Sequence, residues 1–165
     1  RGANNRAATL FGHSTIAHER GAGRCGNIGC AEDLASTATL AALARAMSDF
    51  SGSQLAGAAR IDYETIFALS AEGDTCSQAL LDQSIKVWAV LVENAVLAFD
   101  PEVVVLGGGI LRSRDIVLQA IEQHLNRHMP CLPLKTPVVA AALGDDAALI
   151  GGEALFKQNH PALFL

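Results

Sequence analysis

Residues 75–99 constrain the fold more than any other part of this chain. Leu81, Ile85, Trp88, Val92, Ala95 and Phe99 recur at spacings of three and four, which makes one helical stripe. Val87, Leu91 and Val96 make a second. A helix apolar over that much of its circumference belongs inside a fold. Asp100-Pro101 ends it, because proline cannot continue a helix. Glu102-Val103-Val104-Val105-Leu106 comes next. A β-branched run apolar on both faces predicts a central strand covered on two sides. Gly107-Gly108-Gly109 follows at once, and Ser113 caps a predicted helix to about residue 128. Pro130, Pro133 and Pro137 mark a loop, and residues 138–143 predict a second apolar strand. Gly144-Asp145-Asp146 turns into a last helix that contains Gly151-Gly152. Paired glycines inside a helix cost about 1 kcal/mol each against alanine. Close approach by another backbone is the expected reason for them.

The first half reads less regularly. Residues 9–16 suggest a turn and a short strand or two, and Gly21, Gly23, Gly26 and Gly29 crowd the loop that follows. Residues 32–50 predict a helix, with Leu40, Leu43, Met47 and Phe50 on one face. A short helix over 62–71 takes Asp62 as its cap. Helices then alternate with strands, which defines an α/β layered domain. The 165 residues make one such unit with a tail at 158–165. A globular chain of this length buries roughly 70% of its unfolded surface and needs no disulfide staples.

Composition excludes several functions. The net charge is −5 and the basic residues are scattered, so direct contact with nucleic acid is not expected. No apolar run reaches the roughly 18 residues that cross a bilayer, and residues 1–20 do not form an export signal. The expected location is cytoplasmic, where Cys25, Cys30, Cys76 and Cys131 stay reduced. Cys76 and Cys131 read as single thiols. The chain opens on Arg1, and its first residues read like the middle of a fold, so a fragment is expected.

The remaining thiols sit in a suggestive pattern. Gly12-His13 is followed, nine residues on, by Gly23-Arg24-Cys25-Gly26-Asn27-Ile28-Gly29-Cys30-Ala31-Glu32. Imidazole nitrogen and thiolate sulfur are the ligands Zn²⁺ prefers, and glycines let a loop wrap an ion. Spacing alone gives three ligands where a structural zinc wants four, and a glycine-rich turn with two reduced thiols also fits the pattern.

The ROK family of sugar kinases and sugar-responsive repressors carries Glu-x-Gly-His and then Cys-x-Cys-Gly-x-x-Gly-Cys-x-Glu. This chain resembles it at Gly12, His13, Cys25, Gly26, Gly29, Cys30 and Glu32. Residues 100–109 are similar to the family's second signature, and residues 144–152 to its C-terminal helix. The resemblance covers residues 1 to about 157. It implies a C-terminal ribonuclease H-like (actin-like ATPase) lobe, a mixed sheet with flanking helices. It places His13, Cys25 and Cys30 at a zinc, His13 and Glu32 on sugar hydroxyls, and Gly107, Gly108 and Gly109 against the ATP that an intact kinase holds with Mg²⁺. Two positions depart from the pattern: Gly23 stands where the family has its first zinc cysteine, and Leu10 where it has a sugar-binding glutamate. Water or another side chain must then complete the zinc, with His18 one candidate. Leu10 accepts no hydrogen bond, so sugar binding is expected to be weakened or lost.

Three functions fit these features: the C-terminal lobe of a sugar kinase, the sugar-sensing half of a repressor, or a degenerate lobe kept for oligomerisation. The family takes its Asp-x-Gly-x-Thr phosphate loop and catalytic Asp from an N-terminal lobe. Neither occurs here, so the chain alone is expected to be inactive. Asp33, Asp145 and Asp146 read as helix-start residues favoured by the macrodipole. A sugar ligand and a second copy of the chain are the expected partners.

Overall fold

The structure is a computed structural model that describes residues 10–128 and 136–160, with backbone only at Arg112 and Asp145. Among the described residues, six α-helices and two strands run in the order α1 (Ala31–Ala35), α2 (Thr37–Arg45), α3 (Tyr63–Ala71), α4 (Thr75–Phe99), β1 (Val104–Leu106), α5 (Arg114–His128), β2 (Val138–Ala140) and α6 (Ala147–Asn159).

Helix α4 has the predicted bounds, and both ends have a local cause. Asp74 starts it by accepting a hydrogen bond from the Ser77 N–H at 2.9 Å. Asp100 ends it in the left-handed region at φ 44°, ahead of Pro101. Three apolar clusters form around α4. Cys76, Leu80 and Leu81 meet Leu40 and Ala44 of α2, Leu55, and Tyr63 and Ile66 of α3. Val87 meets Ala31, Leu34 and Ala35 of the α1 segment. Ala89, Val92 and Val96 meet Val117, Ile121 and Leu125 of α5 and Val138 of β2. Fully burying one such Leu or Ile stabilises by about 1.5–3 kcal/mol, so α4 is the spine of the fold.

Strands β1 and β2 are parallel, with Val104 opposite Val138 and Leu106 opposite Ala140. They make a βαβ unit with α5. Val104 and Leu106 point into the cluster of α4 and α5. Val103, Val105 and Val139 alternate to the opposite face, where Val105 is 58% exposed. The expectation of a strand covered on two sides is therefore met on one side only among the described residues. Both helices pack on the same face. The α/β class holds; among the described residues the antiparallel part of the expected mixed sheet consists of isolated bridges, Thr15 with Cys30 and Ala22 with Ile28.

Other expectations change in detail. The predicted helix over 32–50 is two helices, because Ser36 is extended at φ −96° and ψ 154°. The N-terminal strand is a 3-10 turn, Phe11–His13, and residues 109–113 form another before α5. Asp62 caps α3 as expected, accepting from the Thr65 N–H at 3.0 Å. Gly151 and Gly152 lie in α6, but a Cβ on either meets nothing within 4 Å. Close backbone approach does not explain them among the described residues, and Leu149, Ile150, Leu155 and Phe156 of α6 are exposed. Cys131 and residues 161–165 lie outside the described residues. No helix among the described residues is long and apolar enough to cross a membrane.

Candidate metal and sugar site

Gly29 folds the glycine-rich loop onto the 3-10 turn. It sits at φ 51°, and a Cβ there would lie 1.8 Å from the Ala17 carbonyl oxygen, so only glycine fits. The Ile16 and Ala17 N–H groups both donate to the Gly29 carbonyl, at 2.8 and 3.1 Å. The Ala31 N–H donates to Ser14 O at 3.2 Å, and Asn27 Nδ2 donates to His13 O at 2.6 Å. These bonds draw His13, Cys25 and Cys30 together.

One ligand atom from each of those residues lies within 4.8 Å of the others. Cys25 Sγ is 3.5 Å from Cys30 Sγ, and Cys30 Sγ is 4.0 Å from His13 Nδ1. Tetrahedral zinc, with Zn–S near 2.3 Å and Zn–N near 2.0 Å, needs separations of about 3.8 Å and about 3.6 Å. Both of these separations lie within a few tenths of an ångström of those values. The sulfurs are far beyond the S–S bond length of about 2.05 Å, and both thiols are free. Burial is the main effect pushing the Cys30 thiol up from its usual range; Cys25 and the Asp33 carboxylate add to it, and an Asp33 N–H opposes it. A metal ion would have to displace that proton. His18 does not join the cluster: it is 94% exposed beside Glu19.

Asp33 stands in the first turn of α1, as expected of a helix-start residue. Its side chain does not merely decorate a helix start. Oδ1 accepts from the Arg24 N–H at 3.2 Å, while Oδ2 is buried with no hydrogen-bond partner. A Cβ on Gly23 would lie 1.1 Å from that oxygen. No spacing rule links positions 23 and 33, so only the folded loop reveals the pair.

Glu32 stands beside this cluster on α1, and its Oε2 would be 3.5 Å from a Cβ on Gly12. It opens on a concavity of about 210 Å³ walled by Tyr63, Trp88 and Ile110. The two aromatic rings pack at 4.9 Å, anchored on one carbonyl: Tyr63 OH is 2.7 Å and Trp88 Nε1 3.3 Å from Ala35 O. Burial pushes the Tyr63 hydroxyl up to about 12, against the lowering effect of its Ser84 partner. Leu10 is exposed and brings no polar atom.

Gly107, Gly108 and Gly109 leave the C-terminal ends of the parallel strands, where open α/β sheets bind ligands. Gly108 has φ 97°, and a Cβ on Gly108 or Gly109 would meet nothing within 4 Å. The triplet lines a concavity of about 200 Å³ with Arg114, Ala141 and Gly144. A third concavity of about 410 Å³ shares Gly109 with the triplet, and Thr37, Tyr63 and Ile110 with the Glu32 hollow.

A second cluster was missed in the sequence, although two histidines at helical spacing could have signalled it. His124 and His128 are four apart on α5, and Glu93 of α4 completes it. Glu93 Oε2 is 2.7 Å from His124 Nε2, and the imidazoles stack at 4.0 Å. The pair ties α4 to α5.

The α/β fold, with its parallel βαβ unit and glycine loop at the strand ends, is the actin-like ATPase fold of the ROK sugar kinases that match it. The chain belongs to the ROK family, whose family model matches residues 2–159. It is 30% identical over 170 residues to a glucokinase of Halalkalibacterium halodurans, across 96% of this chain and 50% of that protein. A ROK hexokinase from Thermus thermophilus matches with a TM-score of 0.69 at 29% identity, over 88% of this chain and 46% of that one. A ROK family transcriptional regulator, homolog of the E. coli MLC protein, matches with a TM-score of 0.62 at 26% identity, over 79% of this chain and 33% of that one. The chain thus spans half or less of the length of these relatives.

Proposed function

We propose that this chain is the C-terminal, sugar- and nucleotide-binding lobe of a ROK sugar kinase. In this reading Glu32 and His13 hold sugar hydroxyls, His13, Cys25 and Cys30 hold a zinc, and Gly107, Gly108 and Gly109 face the ATP. The observation that carries the reading is Glu32 opening on the Tyr63–Trp88 hollow beside His13. A carboxylate accepts the hydroxyl hydrogen bonds that position a sugar, and an aromatic wall excludes water from its apolar face. His13 turns Nδ1 toward Cys30, which leaves Nε2 for a hydroxyl. When bound, zinc would cross-link the loop and fix the His13 ring. The open N–H groups of the glycine triplet would meet phosphate or adenosine without a Cβ in the way.

Leu10 weakens the sugar site. One charged hydrogen bond is worth about 1.5–3 kcal/mol, so its loss corresponds to roughly a 10- to 100-fold lower affinity. Leu10 and the likeness to a transcriptional regulator favour a second reading, in which the lobe senses a sugar without phosphorylating it. The exposed Val103, Val105 and Val139 face and the apolar side of α6 support self-association.

Trp88, the chain's single tryptophan, lines the hollow and supplies the test. Its emission should change saturably with a hexose or N-acetylhexosamine, and Glu32→Gln should weaken binding at least about 10-fold. A saturable change that Glu32→Gln leaves untouched overturns the assignment. With ATP and sugar the isolated chain should show no turnover, because it contains no Asp-x-Gly-x-Thr loop.

A further inference from the structure

The zinc reading leaves a coordination gap. Structural zinc sites are closed and four-coordinate, and the described cluster supplies His13, Cys25 and Cys30. Position 23, where the family pattern has a cysteine, is Gly23.

Two observations converge on that gap. A Cβ on Gly23 would lie 1.1 Å from Asp33 Oδ2 and 2.2 Å from its Cγ. A side chain at position 23 and the Asp33 carboxylate therefore compete for one space, and here the carboxylate occupies it. Separately, Oδ2 is buried without a partner, although a buried carboxylate oxygen normally has a donor or a cation. The Arg24 N–H takes Oδ1 and leaves Oδ2 unshared. That is the arrangement of a one-oxygen ligand whose second oxygen is held by a hydrogen bond.

Resting on the zinc reading, we propose that Asp33 is the fourth ligand and replaces the thiolate missing at Gly23. The site is then Cys₂-His-Asp. Its charge with Zn²⁺ equals that of Cys₃-His, because one carboxylate stands in for one thiolate. Carboxylate oxygen is an accepted zinc donor at about 2.0–2.2 Å. The Asp33 carboxylate is not among the atoms that lie mutually within 4.8 Å, so ligation requires it to swing inward.

The test measures zinc affinity by chelator competition and records the spectrum of the cobalt-loaded protein. The thiolate-to-cobalt band reports this cluster and not the sulfur-free Glu93–His124–His128 group. Asp33→Ala should lower zinc affinity about 100-fold or more and change the cobalt d–d bands. Gly23→Cys combined with Asp33→Ala should restore the affinity and give the bands of a three-sulfur site. Far-ultraviolet circular dichroism in chelator confirms that each variant folds. If the unmodified chain binds zinc through its thiolates and Asp33→Ala matches it in affinity and spectrum, Asp33 is not a ligand and the zinc reading survives. If the unmodified chain gives no thiolate-to-cobalt band, both fail. If the double variant folds but stays weak, Asp33 acts only as a structural support.

Discussion

Gly26 and Gly29 have positive φ values, 84° and 51°, in the same loop, yet their surroundings differ. Alanine at either pays the left-handed penalty of about 1–2 kcal/mol. At Gly26 nothing lies within 4 Å of the new Cβ, so that is the whole effect. At Gly29 the Cβ would sit 1.8 Å from Ala17 O, and the backbone must move apart. That movement breaks the bonds from Ile16 and Ala17 N–H to Gly29 O, each worth about 1 kcal/mol. Gly29→Ala should therefore open the loop by about 2 kcal/mol more than Gly26→Ala, or about 30-fold in the opening equilibrium. Cys30 is fully buried beneath this loop and reports it directly. With chelator present, the rate at which a thiol reagent labels Cys30, read by peptide mass spectrometry, should be about 30-fold faster in Gly29→Ala. Equal rates in the two variants would refute the close approach of Ala17 and Gly29.

Asp74→Ala should cost about 3 kcal/mol in urea unfolding, because it removes the cap of α4 and strands the Ser53 and Ser77 hydroxyls and the Gln54 N–H. Burial alone would raise the Asp74 pKa, but hydrogen bonds from Ser77, Ser53 and Gln54 outweigh it and hold the carboxyl below its usual range. With the folded value below the unfolded one of about 3.9, its contribution is present above that pH and is lost as pH falls through the folded value. The urea midpoint should drop in that acid window, and the drop should be smaller in Asp74→Asn. Glu93→Ala leaves His124 without its 2.7 Å partner between α4 and α5, and should lower stability by about 1–3 kcal/mol at neutral pH. An unchanged urea midpoint would show that the pair contributes nothing.

What the sequence made legible follows from where the physics is local. The α4 bounds and the α3 cap were readable because stripes at helical spacing, Asp62 and Asp100-Pro101 act through near neighbours. That His13, Cys25 and Cys30 come together was readable because glycines and ligand types share one short segment, and the structure brings the three within 4.8 Å. The break at Ser36 was not, since residues 32–50 keep helical spacing across it. The bare face of Val103 and Val105 was not, because the run looks identical whether one or two layers cover it. The relation of Asp33 to Gly23 depends on a loop returning ten residues later, which no periodicity encodes.

In the proposed reading, zinc organises the loop over residues 10–32. Metal content per chain, measured on protein prepared without chelator and again on Cys25→Ser/Cys30→Ser, tests it most directly. Close to one zinc per chain is expected, lost in the double variant. Metal-free protein would contradict it, as would zinc that survives loss of both thiols.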